Sequence, residues 1–301
     1  MKKDNNNGEE YCYTTIKKND LEIRHFVFNL DDDVYDQMNY IDENNINGLA
    51  FKTSDKTTRE QYSLATEIVS NMGHRISSLM LHGFDRIETL DFLKYTPNIK
   101  HLGMHCVLKE PFDFTLLSQL ESVELWYGKA FAGIFDCASI KRLDIYKMDV
   151  NAMDSIQKLS RLKHLQIRQT NVKNIDSLSN LRELEKLHLR HLPKLESINP
   201  IKSCCKINSL LFENCKKISD WHMLGFLLKL KELTLENCGN ISDINFLKQL
   251  EKLERVQLIS GTKLLDGNIH WLYEMAGMKR IFYPWRKGTD VTIEQFHKFN
   301  R

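Results

Sequence analysis

No stretch of this 301-residue sequence approaches the ~18 consecutive apolar residues that a membrane-spanning helix needs. The N-terminus, MKKDNNNGEE, is basic and then polar, and no apolar run follows it, so no signal peptide is expected either. GxSxG, P-loop, HExxH and CxxC patterns are all missing. Their absence takes away the usual sequence grounds for catalysis, and we expect neither an enzyme nor a cofactor or small-molecule substrate. Cysteine is present, but not as a disulfide framework. The seven cysteines are odd in number; Cys215 and Cys238 occupy equivalent apolar positions, and Cys106, Cys137, Cys204 and Cys205 follow no pairing pattern. Free thiols in a reducing compartment suit them better, so a cytoplasmic location is expected. A strong excess of charge is lacking too. The net charge of +2 makes no overall case for nucleic acid or a membrane surface, although residues 1–75, with 9 basic and 14 acidic side chains, leave +7 for the rest.

What the sequence does have is a repeat. In Leu230–Leu250 the apolar residues fall at Leu230, Leu233, Leu235, Cys238, Ile241, Ile244 and Leu247. Neither a helix of period 3.6 nor a strand of period 2 gives that spacing over this length. A short strand, a tight turn and a loosely wound return do. The same spacing recurs from Ile207 to Leu224 and from Leu184 to Ile201. The second apolar position serves as a marker at Leu79, Leu102, Val123, Leu143, Leu165, Leu187, Leu210, Leu233, Val256 and Ile281, at nearly even intervals. One such unit cannot bury its apolar side alone, so the copies must stack.

With these residues in register, the chain resembles the leucine-rich repeat family, in the short-repeat class typified by the internalins, over roughly residues 76 to 285. The resemblance implies an α/β solenoid, a right-handed horseshoe with one curved parallel sheet on the concave side. A repeat this short leaves no room for a strand, two turns and a full helix, so the convex segments should be 3₁₀ or extended. The resemblance also implies binding as the shared activity, on the bare concave face. The missing signal peptide and wall anchor depart from secreted internalins; delivery into a host cell by a non-classical route stays open.

In chain order, residues 1–19 read as disordered. Residues 20–75 read as an N-terminal cap. Phe26 and Leu49 are spaced like the later markers, and the longer interval from Leu49 to Leu79 holds a helical stripe ending at Gly73. That favours two degenerate repeats, one with a helix, over a separate α+β cap without register. Repeats run through 76–285, the least regular at WYGKAFAGIFDCAS after Leu125. Residues 286–301 read as a C-terminal helical cap, with Thr292 and Gln295 as a capping pair.

The residues between and just after the strand leucines should face the concave side. There Trp126, Tyr127, Tyr146, Arg168 and Arg190 follow one another, with Asp144, Gln166 and His188 between the leucines and Glu213 and Glu236 turning the strip acidic. Trp, Tyr and Arg side by side are the composition of interface hot spots, although Trp126 and Tyr127 could instead fold back into the irregular repeat. The expected partner is another protein, offering acidic groups to the arginines and basic groups to the glutamates. The expected role is an inhibitor, adaptor or effector. The competing reading is a structural module that uses the convex face or the acidic cap. Basic residues with aromatic neighbours also suit single-stranded nucleic acid, but Glu124, Asp144, Glu213 and Glu236 share the face. His82 and His105 lie one repeat apart with Cys106 adjacent, close enough to share an ion, yet no metal is expected. His101 and His105, spaced like a helical ligand pair, would lie ~13 Å apart on a strand.

Overall fold

The computed structural model describes residues 2–4, 10–18, 21–31, 33–52, 57–284 and 288–299. The chain divides between Ile140 and Lys141 into two compact units. Each is a stack of short parallel strands, and what sets the strands is the spacing of their leucines. A marker residue and its second neighbour point one way and are fully buried, while the residues on either side point the other way. Leu187 and Leu189, for example, are completely buried, between half-buried His188 and Arg190.

In the first unit, β1 (Lys2–Asp4) pairs antiparallel with β2 (Glu10–Lys18), and β2 pairs antiparallel with β3 (Leu21–Asn29). Strands at residues 2–4 and 10–18 differ from the disordered segment expected for 1–19. The stretch YCYTTIK is rich in β-formers and reaches back onto a hydrogen-bonding edge; residues 1, 5–9 and 19 lie outside the described residues. From β3 the pairing turns parallel, through β4 (Gly48–Lys52), β5 (Ser78–Met80), β6 (His101–Met104) and β7 (Ser122–Trp126). Phe26, Leu49, Leu79, Leu102 and Val123 are successive partners, so the segment before Ile76 shares the repeat register. It carries two helices where one was expected. Helix α1 (Val34–Glu43) starts at Asp33, whose carboxylate accepts from the Tyr35 N–H. Helix α2 (Arg59–Met72) opens with a reciprocal capping box between Thr58 and Gln61. Sequence reading overlooked α1 because its apolar stripe is thin; Gln37 and Ile41 are its fully buried residues. The irregular segment after β7 winds into a long 3₁₀ turn, Lys129–Asp136, burying Phe131, Ile134 and Phe135.

The second unit is the regular one. Strands β8 (Arg142–Tyr146), β9 (His164–Arg168), β10 (Lys186–Arg190), β11 (Ser209–Glu213), β12 (Glu232–Glu236), β13 (Arg255–Ile259) and β14 (Arg280–Phe282) pair in parallel, each in register with the next. The markers Leu143, Leu165, Leu187, Leu210, Leu233, Val256 and Ile281 are successive partners. Return segments are 3₁₀ turns, such as Val150–Lys158, Asn199–Ser203 and Trp221–Phe226, as expected.

After each of β8 to β13 one non-glycine residue takes a left-handed backbone: Lys147, Gln169, His191, Asn214, Asn237 and Ser260, all at φ between 50° and 58°. This costs ~1 kcal/mol or more per residue, and the ladder repays it. The N–H of Lys147 donates to the Arg168 carbonyl at 2.9 Å, and Gln169, His191, Asn214 and Asn237 donate likewise to the next strand. The chain then turns inward, and the residue after it, Met148, Thr170, Leu192, Cys215 or Cys238, is buried. Side chains at this position bond neighbouring turns: Thr170 Oγ1 donates to the Met148 carbonyl, and Cys238 Sγ contacts the Phe212 carbonyl.

At the C-terminal end, α3 (His270–Glu274) precedes β14, and Pro284 follows it, where no N–H is available to extend pairing. Thr292 and Gln295 cap α4 (Ile293–Phe299) reciprocally, and Asp290 accepts from the Ile269 and His270 N–H groups. Residues 286, 287, 300 and 301 of the expected C-terminal cap lie outside the described residues.

Candidate functional site

Because side chains alternate along a strand, β8 to β13 of the second unit present three columns on the face away from the core. One runs Asp144, Gln166, His188, Leu211, Thr234 and Gln257, and the next runs Tyr146, Arg168, Arg190, Glu213, Glu236 and Ile259. Tyr146, Asp144, Gln166, Arg168, His188, Arg190, Glu213 and Glu236 therefore share one face of one sheet. A third column runs Arg142, His164 and Lys186; the sequence had marked Arg142 and Lys186 as basic residues suited to nucleic acid, but not as a column with His164 on this face. Strict alternation could have found it, since the residue before each marker must point the same way as the residue after it.

Neighbouring rows bond sideways across the ~4.8 Å strand spacing. Arg168 lies 4.6 Å over the Tyr146 ring and 3.2 Å from the Asp144 carboxylate, which is 6% exposed. Gln166 also donates to Asp144, and its Oε1 lies 3.3 Å from His188 Nδ1. Arg190 pairs with Glu213, and His191 Nε2 approaches the same carboxylate at 3.0 Å. Both arginines thus already hold an internal carboxylate, so their charge is matched within the sheet and not left over for a partner.

His188 sits in a shallow hollow with Arg142, Asp144, His164, Gln166 and Lys186. Burial, then the positive charges of Arg190, Arg142 and Lys186, hold its pKa down at about 4. His164 is held at about 4 as well, by burial and by Lys186 and Arg142. Both rings are neutral at neutral pH. Arg142 Nη1 lies 3.2 Å from His164 Nδ1, an arrangement that needs an unprotonated nitrogen there. The face therefore offers neutral imidazoles, amides and paired guanidinium groups, suited to hydrogen bonding and stacking. No group on it is arranged for nucleophilic attack.

Trp126 and Tyr127 belong to the first unit. Trp126 is 42% exposed and stacks on His105 at 5.4 Å, while the Tyr127 ring turns toward Phe135 at 6.1 Å. One projects and the other leans on the irregular repeat. The six described thiols, at Cys106, Cys137, Cys204, Cys205, Cys215 and Cys238, are all free.

A stack of register-matched short repeats with an uncovered sheet face defines a solenoid protein of the leucine-rich type. A family model for the BspA type leucine rich repeat region matches residues 146–262, in six copies. Among solved structures, the internalin InlF of Listeria monocytogenes is 18% identical, with a TM-score of 0.55 over 78% of this chain and 64% of that one. Internalin C2 of the same organism is 24% identical, covering 64% of this chain and 84% of its own, with a TM-score of 0.45. The functional domain of its InlJ is 14% identical, covering 85% and 57%, with a TM-score of 0.49. A search among curated proteins returned no match. Residues 146–262 therefore match a leucine-rich repeat family, the fold is that of a leucine-rich repeat solenoid like InlF, and the chain spans about 64% of the length of InlF. Folds of this kind are commonly protein-interaction modules and generally carry no catalysis of their own.

Proposed function

We propose that this is a non-enzymatic recognition protein that binds another protein on the open sheet face of its second unit. The observation that carries the reading is the preset row Tyr146, Arg168, His188 and Arg190, each braced by a neighbour before any partner arrives. Side chains already held in place lose less freedom on association, which leaves more of the contact energy as affinity. Asp144, Gln166 and Glu213 do the bracing, and Glu236 extends the strip. Because the arginines carry their own counter-charges, the partner is selected by shape, stacking and hydrogen bonds more than by long-range attraction. Matched charge also argues against a nucleic acid backbone as the ligand. Trp126 is proposed as a further aromatic contact on the first unit. Buried thiols fit a reducing cytoplasm.

The exposed pair Phe226 and Leu228, 58% and 62% accessible on a return segment, supports a second reading in which the module docks into an assembly by that side. Partner capture with two double variants separates the two. Arg168→Ala with Arg190→Ala should weaken partner binding at least about 30-fold, the loss of a hot spot worth ~2 kcal/mol. Phe226→Asp with Leu228→Asp should leave it unchanged. The opposite pattern, with native circular dichroism in both, would move the interface to the return side.

A further inference from the structure

A second cluster of chemistry lies in the first unit, outside the strip just described. His82 follows β5, His105 follows β6, and Glu124 sits on β7. One nitrogen of each ring and one carboxylate oxygen all lie within 4.8 Å of one another. His105 Nε2 is 3.1 Å from Glu124 Oε1, and the two imidazoles stack at 3.9 Å with planes 2° apart. The floor of the cluster is Gly103, the register partner of both Met80 and Glu124. A Cβ at position 103 would lie 2.7 Å from His82 Nε2 and 2.3 Å from Met80 Sδ. Glycine is what lets the His82 ring come down over the strand beside the carboxylate. The equivalent positions in later repeats carry Glu124, Asp144, Gln166 and His188.

Trp126 also stacks on His105, its ring centroid 5.4 Å away and the planes 13° apart. Cys106, the neighbour that sequence spacing suggested, is buried at 4% exposure and lies outside the cluster, whose third donor is Glu124.

We propose that His82, His105 and Glu124 bind a single borderline divalent cation, Zn2+ being the best fit. Two imidazole nitrogens and one carboxylate oxygen form a donor set typical of that ion, with the fourth tetrahedral position open to water. Bonds of ~2.0–2.1 Å to a tetrahedral ion place donors ~3.3 Å apart. His105 and Glu124 already meet that separation, and a rotation of the exposed His82 side chain brings in the third donor. The site ties together three consecutive strands and does not depend on the protein-binding reading above.

The test is calorimetric titration of the EDTA-stripped full chain with Zn2+ alone. The wild type should take up one equivalent with a rise in Tm. His82→Gln, at an exposed position, and Glu124→Gln, a near-isosteric change at a half-buried one, should each lower affinity at least ~10-fold while keeping native circular dichroism. His222→Gln, an exposed histidine in the second unit, should titrate like wild type. Uptake by the wild type no tighter than by the His82→Gln/Glu124→Gln double variant would overturn the proposal, as would an equal loss in His222→Gln.

Discussion

Lowering the pH from 7 to 4 should selectively weaken the second unit, and His188 lets the effect be measured. The ring is half-buried on the sheet face, with Arg190, Arg142 and Lys186 around it, and its pKa stands at about 4 against 6.5 for the free side chain. Between those two values the unfolded chain holds a proton that the folded chain refuses, so unfolding gains as pH falls. Above pH 6.5 the group contributes nothing to the pH dependence; below 4 the whole cost has been incurred. At ~1.36 kcal/mol per pKa unit, the displacement is worth about 3 kcal/mol at most. Other carboxylates and His164 titrate over the same range, so the difference between wild type and His188→Gln isolates the ring. Urea unfolding followed by circular dichroism should show the variant gaining up to ~3 kcal/mol on wild type between pH 7 and pH 4. An NMR titration of the His188 ring should give a midpoint near 4 in the native state. Parallel stability curves for the two proteins, or a midpoint at or above 6, would refute the reasoning.

Three further outcomes follow from the ladder. Leu187→Ala removes a fully buried marker between Leu165 and Leu210 and should cost ~2–5 kcal/mol, read as a lower urea midpoint. Gln169, at φ 56°, should tolerate Asn within ~0.5 kcal/mol, whereas Gln169→Val should cost ~1–2 kcal/mol, because a β-branched side chain resists the left-handed region. In thiol titration of the native protein, Cys205 should label quickly. Cys106, Cys204, Cys215 and Cys238, with burial as the leading cause of pKa values raised to between about 11 and 12, should label only on unfolding.

Leucine spacing alone placed the repeat, its register and the 3₁₀ returns, because those depend on a local rule: within a short strand the side chains alternate, and the marker of one copy must lie beside the marker of the next. Leu143 to Ile281 obey it without a slip in the second unit, and so, despite its irregular sequence, does the run from Phe26 to Val123 in the first. The same rule named Tyr146, Arg168, His188 and Arg190 as sharing a face. What alternation could not convey is which neighbours satisfy one another. That Arg168 is held by Asp144, that Arg190 is held by Glu213, and that Glu124 rather than Cys106 completes the histidine pair are matters of a few ångströms between side chains that belong to different repeats. Only the stacked strands set those distances. Charge and metal affinity depend steeply on them, whereas burial of a leucine asks only for an apolar neighbour.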